Sequence, residues 1–268
     1  MANLSGKVAV ITGGGGVLCS ALAVGLARDG VKVVVLDLAP DKAEATVERV
    51  RQAGSTGLAV MVNVLVRQDL ERALAKTLST FGRVDFLLNG AGGNHPKATT
   101  SPEQTFFALP EDGVRFVLDL NFMGTFLASQ VFGKVMADQG EGVILNIVSM
   151  NAIRPLTRIP AYSAAKAAVA NFTQWLAVHM AHEYSPRIRV VGIAPGFFLT
   201  DQNRYLLQDD AGKLTPRGKQ ILEHTPLGRF GEPEDLVGAV RWLLSPEAAF
   251  VTGVIIPVDG GFSAYGGV

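Results

Sequence analysis

Apolar positions along the chain fall into two rhythms. Short runs rich in valine, isoleucine and leucine occur at Val8–Ile11, Val31–Leu36, Gly57–Val62, Phe86–Asn89, Val143–Val148, Ile188–Ile193 and Val254–Pro257. Between them, residues 18–29, 41–53, 67–80, 111–137, 162–184 and 233–244 carry apolar side chains at helical spacing and stop at glycines or charged residues. Strands that read as continuous β-branched runs are buried on both faces, and their alternation with helices predicts an α/β fold. The expected architecture is a doubly wound parallel seven-stranded sheet with helices on both faces. One stretch breaks the alternation. Residues 197–230 are polar, contain Pro216 and Pro226, and follow a strand directly. Ligands bind beyond the carboxyl ends of strands in such sheets, so a substrate lid is expected within about 197–230 of a single domain spanning 1–268.

Composition narrows the partners. The chain has 268 residues, 24 basic and 24 acidic side chains, 48% hydrophobic residues and 18% charged residues. That balance speaks against nucleic acid or an anionic membrane as a partner held by charge. The single cysteine, Cys19, excludes an intrachain disulfide, and no Cys/His cluster has zinc-ligand spacing, so no metal is expected. The first residues lack an apolar signal core, and no uninterrupted apolar run approaches the ~18 residues of a membrane span. A cytoplasmic protein is the expectation.

The first strand runs into Thr12-Gly13-Gly14-Gly15-Gly16-Val17-Leu18-Cys19 and then into a helical pattern. A glycine-rich passage from strand to helix lets main chain approach a pyrophosphate and aims helix N–H groups at it, as in Rossmann-like domains. Asp37, at the end of the next strand, has the spacing of a carboxylate that bonds an adenosine ribose diol. Its charge would repel a 2′-phosphate and no basic residue lies beside it, so NAD(H) is favoured over NADP.

Tyr162 and Lys166 lie four apart in a helical segment, with Ser149 thirteen residues before the tyrosine at the end of a strand. Residues at i and i+4 share a helix face, which brings an ammonium toward the phenol. A free tyrosine has a pKa near ~10 and needs such a charge to act as an acid–base group at neutral pH. The Ser149 hydroxyl would hold a carbonyl or alcohol oxygen beside it.

Together these motifs resemble the short-chain dehydrogenase/reductase family over essentially the whole chain. Asn89-Gly90-Ala91-Gly92 is similar to the family's Asn-Asn-Ala-Gly turn, Asn121 matches its catalytic asparagine, and Pro195-Gly196-Phe197-Phe198-Leu199-Thr200 is similar to its Pro-Gly-x-x-x-Thr segment. The resemblance implies Tyr162 as general acid–base, Lys166 lowering its pKa and binding the nicotinamide ribose, Ser149 positioning the substrate oxygen and Asn121 supporting a relay water. It also implies cofactor contacts at Gly13, Gly16, Val17, Leu18, Asp37, Asn63, Val64, Asn89, Gly90, Ala91, Pro195, Gly196, Phe198 and Thr200, and a homotetramer. Three departures stand out. Val17 and Cys19 replace two glycines of the cofactor turn, Asn63 replaces an aspartate whose adenine contact its amide oxygen would keep, and Gly90 replaces an asparagine, which is expected to loosen its turn.

Around this set the chain is rich in hydrogen-bonding residues: Asn94, His95, Asn151, Arg154, Arg158, Gln202 and Asn203. Arginine binds a carboxylate bidentately, and the amides and histidine suit sugar hydroxyls, so a sugar acid is the expected small-molecule substrate, with Asn94, His95, Asn151, Arg158, Gln202 and Asn203 as its contacts. The strings 92–100, 149–152 and 195–203 are similar to a branch of the family that interconverts D-fructuronate and D-mannonate with NADH. Branches that reduce gluconates or 3-oxoacyl thioesters share the same core, and a non-catalytic dinucleotide-binding sensor would keep the fold without the chemistry. The tail after Gly261 is expected to reach a neighbouring subunit's active site.

Overall fold

Seven parallel strands form one sheet in a computed structural model that describes residues 4–200, 204–209 and 211–267. They are β1 (Val8–Thr12), β2 (Lys32–Asp37), β3 (Gly57–Met61), β4 (Phe86–Asn89), β5 (Gly142–Ile147), β6 (Ile188–Pro195) and β7 (Ile255–Val258), in the order β3-β2-β1-β4-β5-β6-β7. The strand direction of winding reverses at β1, which pairs with both β2 and β4. In open α/β sheets the crevice beyond the strand ends at such a switch point receives the ligand. Register brings the carboxyl ends level: Thr12 pairs with Leu36 and Asn89, Asn89 with Asn146, and Pro195 with Val258.

Alternation along each strand sends side chains to two cores. Ala9, Ile11, Val33, Val35, Leu88 and Leu145 pack under α1 (Val17–Ala27), α2 (Pro40–Gln52) and α9 (Asp235–Leu244). Val8, Val10, Val34, Leu36, Leu87 and Ile144 face α3 (Arg67–Phe81), α5 (Gly124–Gln139) and α6 (Pro160–Glu183). Both faces are therefore covered, which is why the strands read as unbroken apolar runs.

Two departures from the expected helices bear on function. The expected helix 111–137 is interrupted: α4 (Glu111–Leu118) passes through a π-helical turn, Asp119–Met123, before α5 begins. Asn121 supplies the cause, because its Nδ2 donates to the Val117 carbonyl at 2.7 Å, the acceptor that the residue-121 main chain would use in a regular helix. The combined run Glu111–Gln139 is long and apolar enough to cross a membrane, yet half of its most apolar part is buried against the rest of the chain. The stretch after β6 holds α7 (Arg204–Leu207) and α8 (Pro216–Glu223). Thr215 caps α8 by accepting from Gly218 N at 3.0 Å, with Pro216 in the first turn.

Candidate active site

The glycine turn is held from two sides. Gly13 has φ +62°, and a Cβ there would lie 2.8 Å from the Ala91 main chain, so the position admits only glycine. Gly16 precedes α1, whose first turn has neither a side-chain cap nor an acidic residue. The free N–H groups of Val17, Leu18 and Cys19 form the local positive end that suits a phosphate. Val17 opens the helix with its side chain 38% exposed, so the valine in place of a glycine does not fill the turn. Leu18 is half-buried against the core.

Cys19 and Gly90 are one feature. A Cβ on Gly90 would sit 2.1 Å from Cys19 Sγ, so the cysteine side chain occupies the space that a larger residue at 90 would need. The expected loosening of the turn does not occur, because Thr12 Oγ1 accepts from Gly90 N at 3.1 Å and from Ala91 N at 3.2 Å. Burial pushes the Cys19 thiol up to about 12, against the opposing pull of Lys166. It is a packing group.

Asp37 closes β2 with both carboxylate oxygens engaged: Oδ2 accepts from Gly15 N at 2.9 Å and Oδ1 from Ala39 N at 3.0 Å. Each oxygen retains a lone pair for a diol. Asn63 turns its oxygen back onto Leu65 N at 3.0 Å, which leaves one lone pair rather than two for an adenine amino group. Val64 is buried in the core. The Asn89 side chain points into the protein, donating to Asn146 Oδ1 at 2.8 Å and Ser129 Oγ at 3.0 Å. Contact with a cofactor at Asn89, Gly90 and Ala91 is thereby limited to main chain and the Ala91 methyl. The same holds at Phe198, whose ring is 4% exposed and packs on Gly231. Pro195 ends β6, Gly196 N donates to Val258 O at 3.0 Å, and Thr200 follows with its carbonyl accepting from Arg204 N at 2.9 Å.

Beyond β5 and in the first turns of α6 the structure brings Ser149, Tyr162 and Lys166 together. Ser149 acts on the half-buried Tyr162 phenol, pulling its pKa down, and Lys166 Nζ stands 5.6 Å from the tyrosine ring centroid. Lys166 Nζ donates to Ile147 O at 2.8 Å and is 5% exposed. Burial depresses its pKa from the ordinary 10.5 to about 8, with Cys19 acting in the opposite direction. Burial also raises the Tyr162 phenol above its ordinary value, opposed by the Ser149 bond. The expected lowering of the tyrosine by Lys166 is absent: burial dominates, and the opposing pull comes from Ser149. Asn121 is fully buried; its Nδ2 also donates to Gly93 O at 2.8 Å and its Oδ1 accepts from Gly93 N at 3.1 Å. It pins the chain after β4 close to the lysine, since a Cβ at Gly92 would lie 2.6 Å from Asn121 Oδ1 and 3.3 Å from Lys166 Nζ.

The expected substrate contacts divide. Asn151 is a brace behind Ser149: its Nδ2 donates to Ser149 Oγ at 3.3 Å, and its Oδ1 accepts from Leu156 N at 3.1 Å and Ser163 Oγ at 3.2 Å. Its amide oxygen is spent on these bonds. His95 caps a short turn, its Nδ1 accepting from Lys97 N at 3.1 Å, with the ring edge-on to Phe116. Exposed Asn94 donates to Thr99 Oγ1 at 2.8 Å. Arg158 has φ +74°, the one non-glycine left-handed residue among those described, a conformation costing about 1–2 kcal/mol. Thr100 N holds it by donating to its carbonyl at 2.8 Å. Gln202 and Asn203 lie outside the described residues. The tail folds onto its own chain: Phe262 meets Phe197, Tyr265 meets His224, and Arg154 Nε donates to Ser263 O at 3.2 Å.

Thr12 and Ser163 are not legible in the sequence as residues that brace the site. Thr12 and Ser163 act only through partners remote in sequence.

A family model described as enoyl-(acyl carrier protein) reductase matches residues 17–263. An uncharacterized oxidoreductase of Bacillus subtilis, UxuB, is 51% identical over 99% of this chain and 98% of its own length. The 7alpha-hydroxysteroid dehydrogenase of Escherichia coli is 35% identical over 97% and 95%. A solved structure of a candidate D-mannonate oxidoreductase from Haemophilus influenzae, with bound NAD, superimposes with a TM-score of 0.94 at 47% identity, covering 100% of this chain and 98% of the other. With the parallel sheet, the glycine turn and the Ser149–Tyr162–Lys166 cluster in place, the chain belongs to the short-chain dehydrogenase/reductase family, oxidoreductases that act on alcohol and carbonyl groups with a nicotinamide cofactor.

Proposed function

We propose that this protein is an NAD(H)-dependent oxidoreductase that interconverts D-fructuronate and D-mannonate. The observation that carries the chemistry is the meeting of Tyr162, Lys166 and Ser149 on the same sheet edge as the glycine turn and Asp37. The residues fit a dinucleotide on two counts. The start of α1 offers uncapped N–H groups to a pyrophosphate, and Lys166, a buried ammonium with three donors, has one hydrogen-bond acceptor among the described residues. Its remaining donors suit the nicotinamide ribose hydroxyls. The Asp37 carboxylate and the exposed, uncharged Leu38 beside it favour NAD over NADP.

When bound, the nicotinamide supplies or receives the hydride. Ser149 Oγ holds the reacting oxygen. Tyr162 Oη is protonated at neutral pH, because burial raises its pKa, and it gives that proton to the oxygen in the reducing direction. In the oxidising direction it must first lose the proton. Lys166 stabilises the phenolate so formed, and Asn121 keeps the Gly92-Gly93 main chain against the lysine.

The sugar-acid substrate is supported by the Haemophilus structure's description and by Arg158, held in a left-handed conformation four residues before Tyr162. A cytoplasmic setting agrees with Cys19 as a free, buried thiol. A homotetramer is supported by the exposed aromatic row on α6, where Trp175 is 56% exposed and stacks on His179 at 4.7 Å. Purified protein tested with D-fructuronate, 5-ketogluconate, a 7-oxo bile acid and an acetoacetyl thioester, each with NADH and NADPH, decides the substrate. Fructuronate with NADH is the expected best pair, and turnover confined to the thioester or the bile acid overturns the sugar-acid assignment.

A further inference from the structure

The Ser149 hydroxyl is oriented by a neighbour that bonds it twice. Ser149 follows β5 and is 7% exposed; its Oγ accepts from Asn151 N at 3.2 Å and from Asn151 Nδ2 at 3.3 Å. A hydroxyl has two lone pairs and one hydrogen. With both lone pairs turned toward Asn151, the hydrogen points away from it, to the side of Tyr162 and the reacting oxygen. The pull by which Ser149 lowers the Tyr162 phenol has the sign of a bond donated by the serine.

Which end of the Asn151 amide faces the serine follows from its other partners. Leu156 N, 3.1 Å away, is a main-chain N–H and can only donate, so the atom before it is the amide oxygen. Ser163 Oγ donates to the same oxygen at 3.2 Å. The amide nitrogen is thereby left to Ser149. The loop that passes through Leu156 and the first turn of α6 thus decide, through one buried amide, on which side of Ser149 its hydrogen lies.

We propose that Asn151 is a positioning residue that holds Ser149 as a hydrogen-bond donor to the reacting oxygen; this rests on the reading of Ser149 as the group that holds that oxygen. A serine fixed in this way has no lone pair for the substrate's proton, so the alcohol proton has one route, to Tyr162 Oη. In the reducing direction the Ser149 O–H already faces the negative charge that develops on the oxygen. It donates more strongly to that charge than to the ground-state carbonyl, so Asn151 acts on kcat more than on KM.

Asn151→Asp and Asn151→Leu test this in the full-length protein with NADH and whichever of D-fructuronate, 5-ketogluconate, the 7-oxo bile acid and the acetoacetyl thioester the wild type reduces fastest. The carboxyl introduced by Asn151→Asp keeps the acceptor that Leu156 and Ser163 need. Protonated, it also donates to Ser149; ionised, it accepts the Ser149 hydrogen and turns it from the substrate. The wild-type-to-variant ratio of kcat for ketone reduction is therefore expected to grow about tenfold or more from about pH 5 to about pH 8, where a buried carboxyl titrates, with KM nearly constant. Asn151→Leu, with neither donor nor acceptor, is expected to lower the thermal midpoint and to show a ratio independent of pH. A pH-independent ratio in Asn151→Asp overturns the proposal, and so does a loss of kcat in both variants that follows their thermal midpoints. Neutron diffraction from crystals of the wild-type protein with NADH in heavy water reads the hydroxyl directly. The Ser149 deuterium is expected on the side away from both Asn151 nitrogens, and a deuterium aimed at Asn151 overturns the proposal even where a variant fails to fold. Full kcat in Ser149→Ala refutes the role of Ser149 itself, whereas its loss beside a pH-independent Asn151→Asp ratio refutes the positioning alone.

Discussion

At the scale of single residues, burial sets the chemistry of the tyrosine and lysine. Tyr162 is held in its acid form, so Tyr162→Phe should cut turnover by about 10²–10⁴-fold while leaving NADH binding, read by fluorescence, intact. Activity equal to wild type would remove Tyr162 as the acid. The oxidising direction needs the phenolate, so kcat/KM for alcohol oxidation should rise with pH while ketone reduction does not; parallel profiles would contradict this. Lys166 titrates at about 8 when folded against an ordinary 10.5, so between those values the unfolded chain holds more protons. Stability contributed at this site therefore rises with pH across that window, by roughly 3 kcal/mol at most. Urea denaturation of wild type against Lys166→Met should show that gain from pH 7 to 10.5, and a pH-independent difference would refute it. The Cys19–Gly90 contact gives a coupled pair: Gly90→Ala alone should be destabilising, and Cys19→Gly should rescue it by about 1 kcal/mol or more in a double-mutant cycle.

At the scale of elements, apolar runs located the strands, and hydrogen bonding moved their ends. β6 continues past the predicted Ile193 to Pro195 because Pro195 still pairs with Val258. Periodicity read 111–137 as one helix, yet the side-chain amide of Asn121 opens a π turn that no apolar pattern records. Polar composition hid α8 although its cap and proline were present. The β2 end carries the cofactor choice. Asp37→Ser with Leu38→Arg should raise the NADP-to-NAD ratio of kcat/KM by more than about tenfold, because it removes the charge that repels a 2′-phosphate and adds one that attracts it. An unchanged ratio would place the discrimination elsewhere.

At the scale of the molecule, strand order brings Asp37, far from Tyr162 in sequence, to the same edge of the sheet. The face of α6 away from that edge bears Trp175 and Val178, 56% and 59% exposed. If it joins subunits, Trp175→Glu should lower the solution mass measured by light scattering, and an unaltered mass would exclude that face from assembly. The motifs themselves were enough to name Tyr162, Lys166, Ser149, the glycine turn and Asp37 as the residues with chemistry, since local spacing along a helix or at a strand end already sets their neighbours. The alternating strand positions likewise determined which side chains enter which core. Tertiary structure alone decided which polar groups remain available for a ligand. Asn151 and the amide nitrogen of Asn89 are spent on buried partners, and Cys19 fills the gap left at Gly90. The reason is that burial and hydrogen-bond occupancy are fixed by atoms from distant parts of the chain, which adjacency in sequence does not encode.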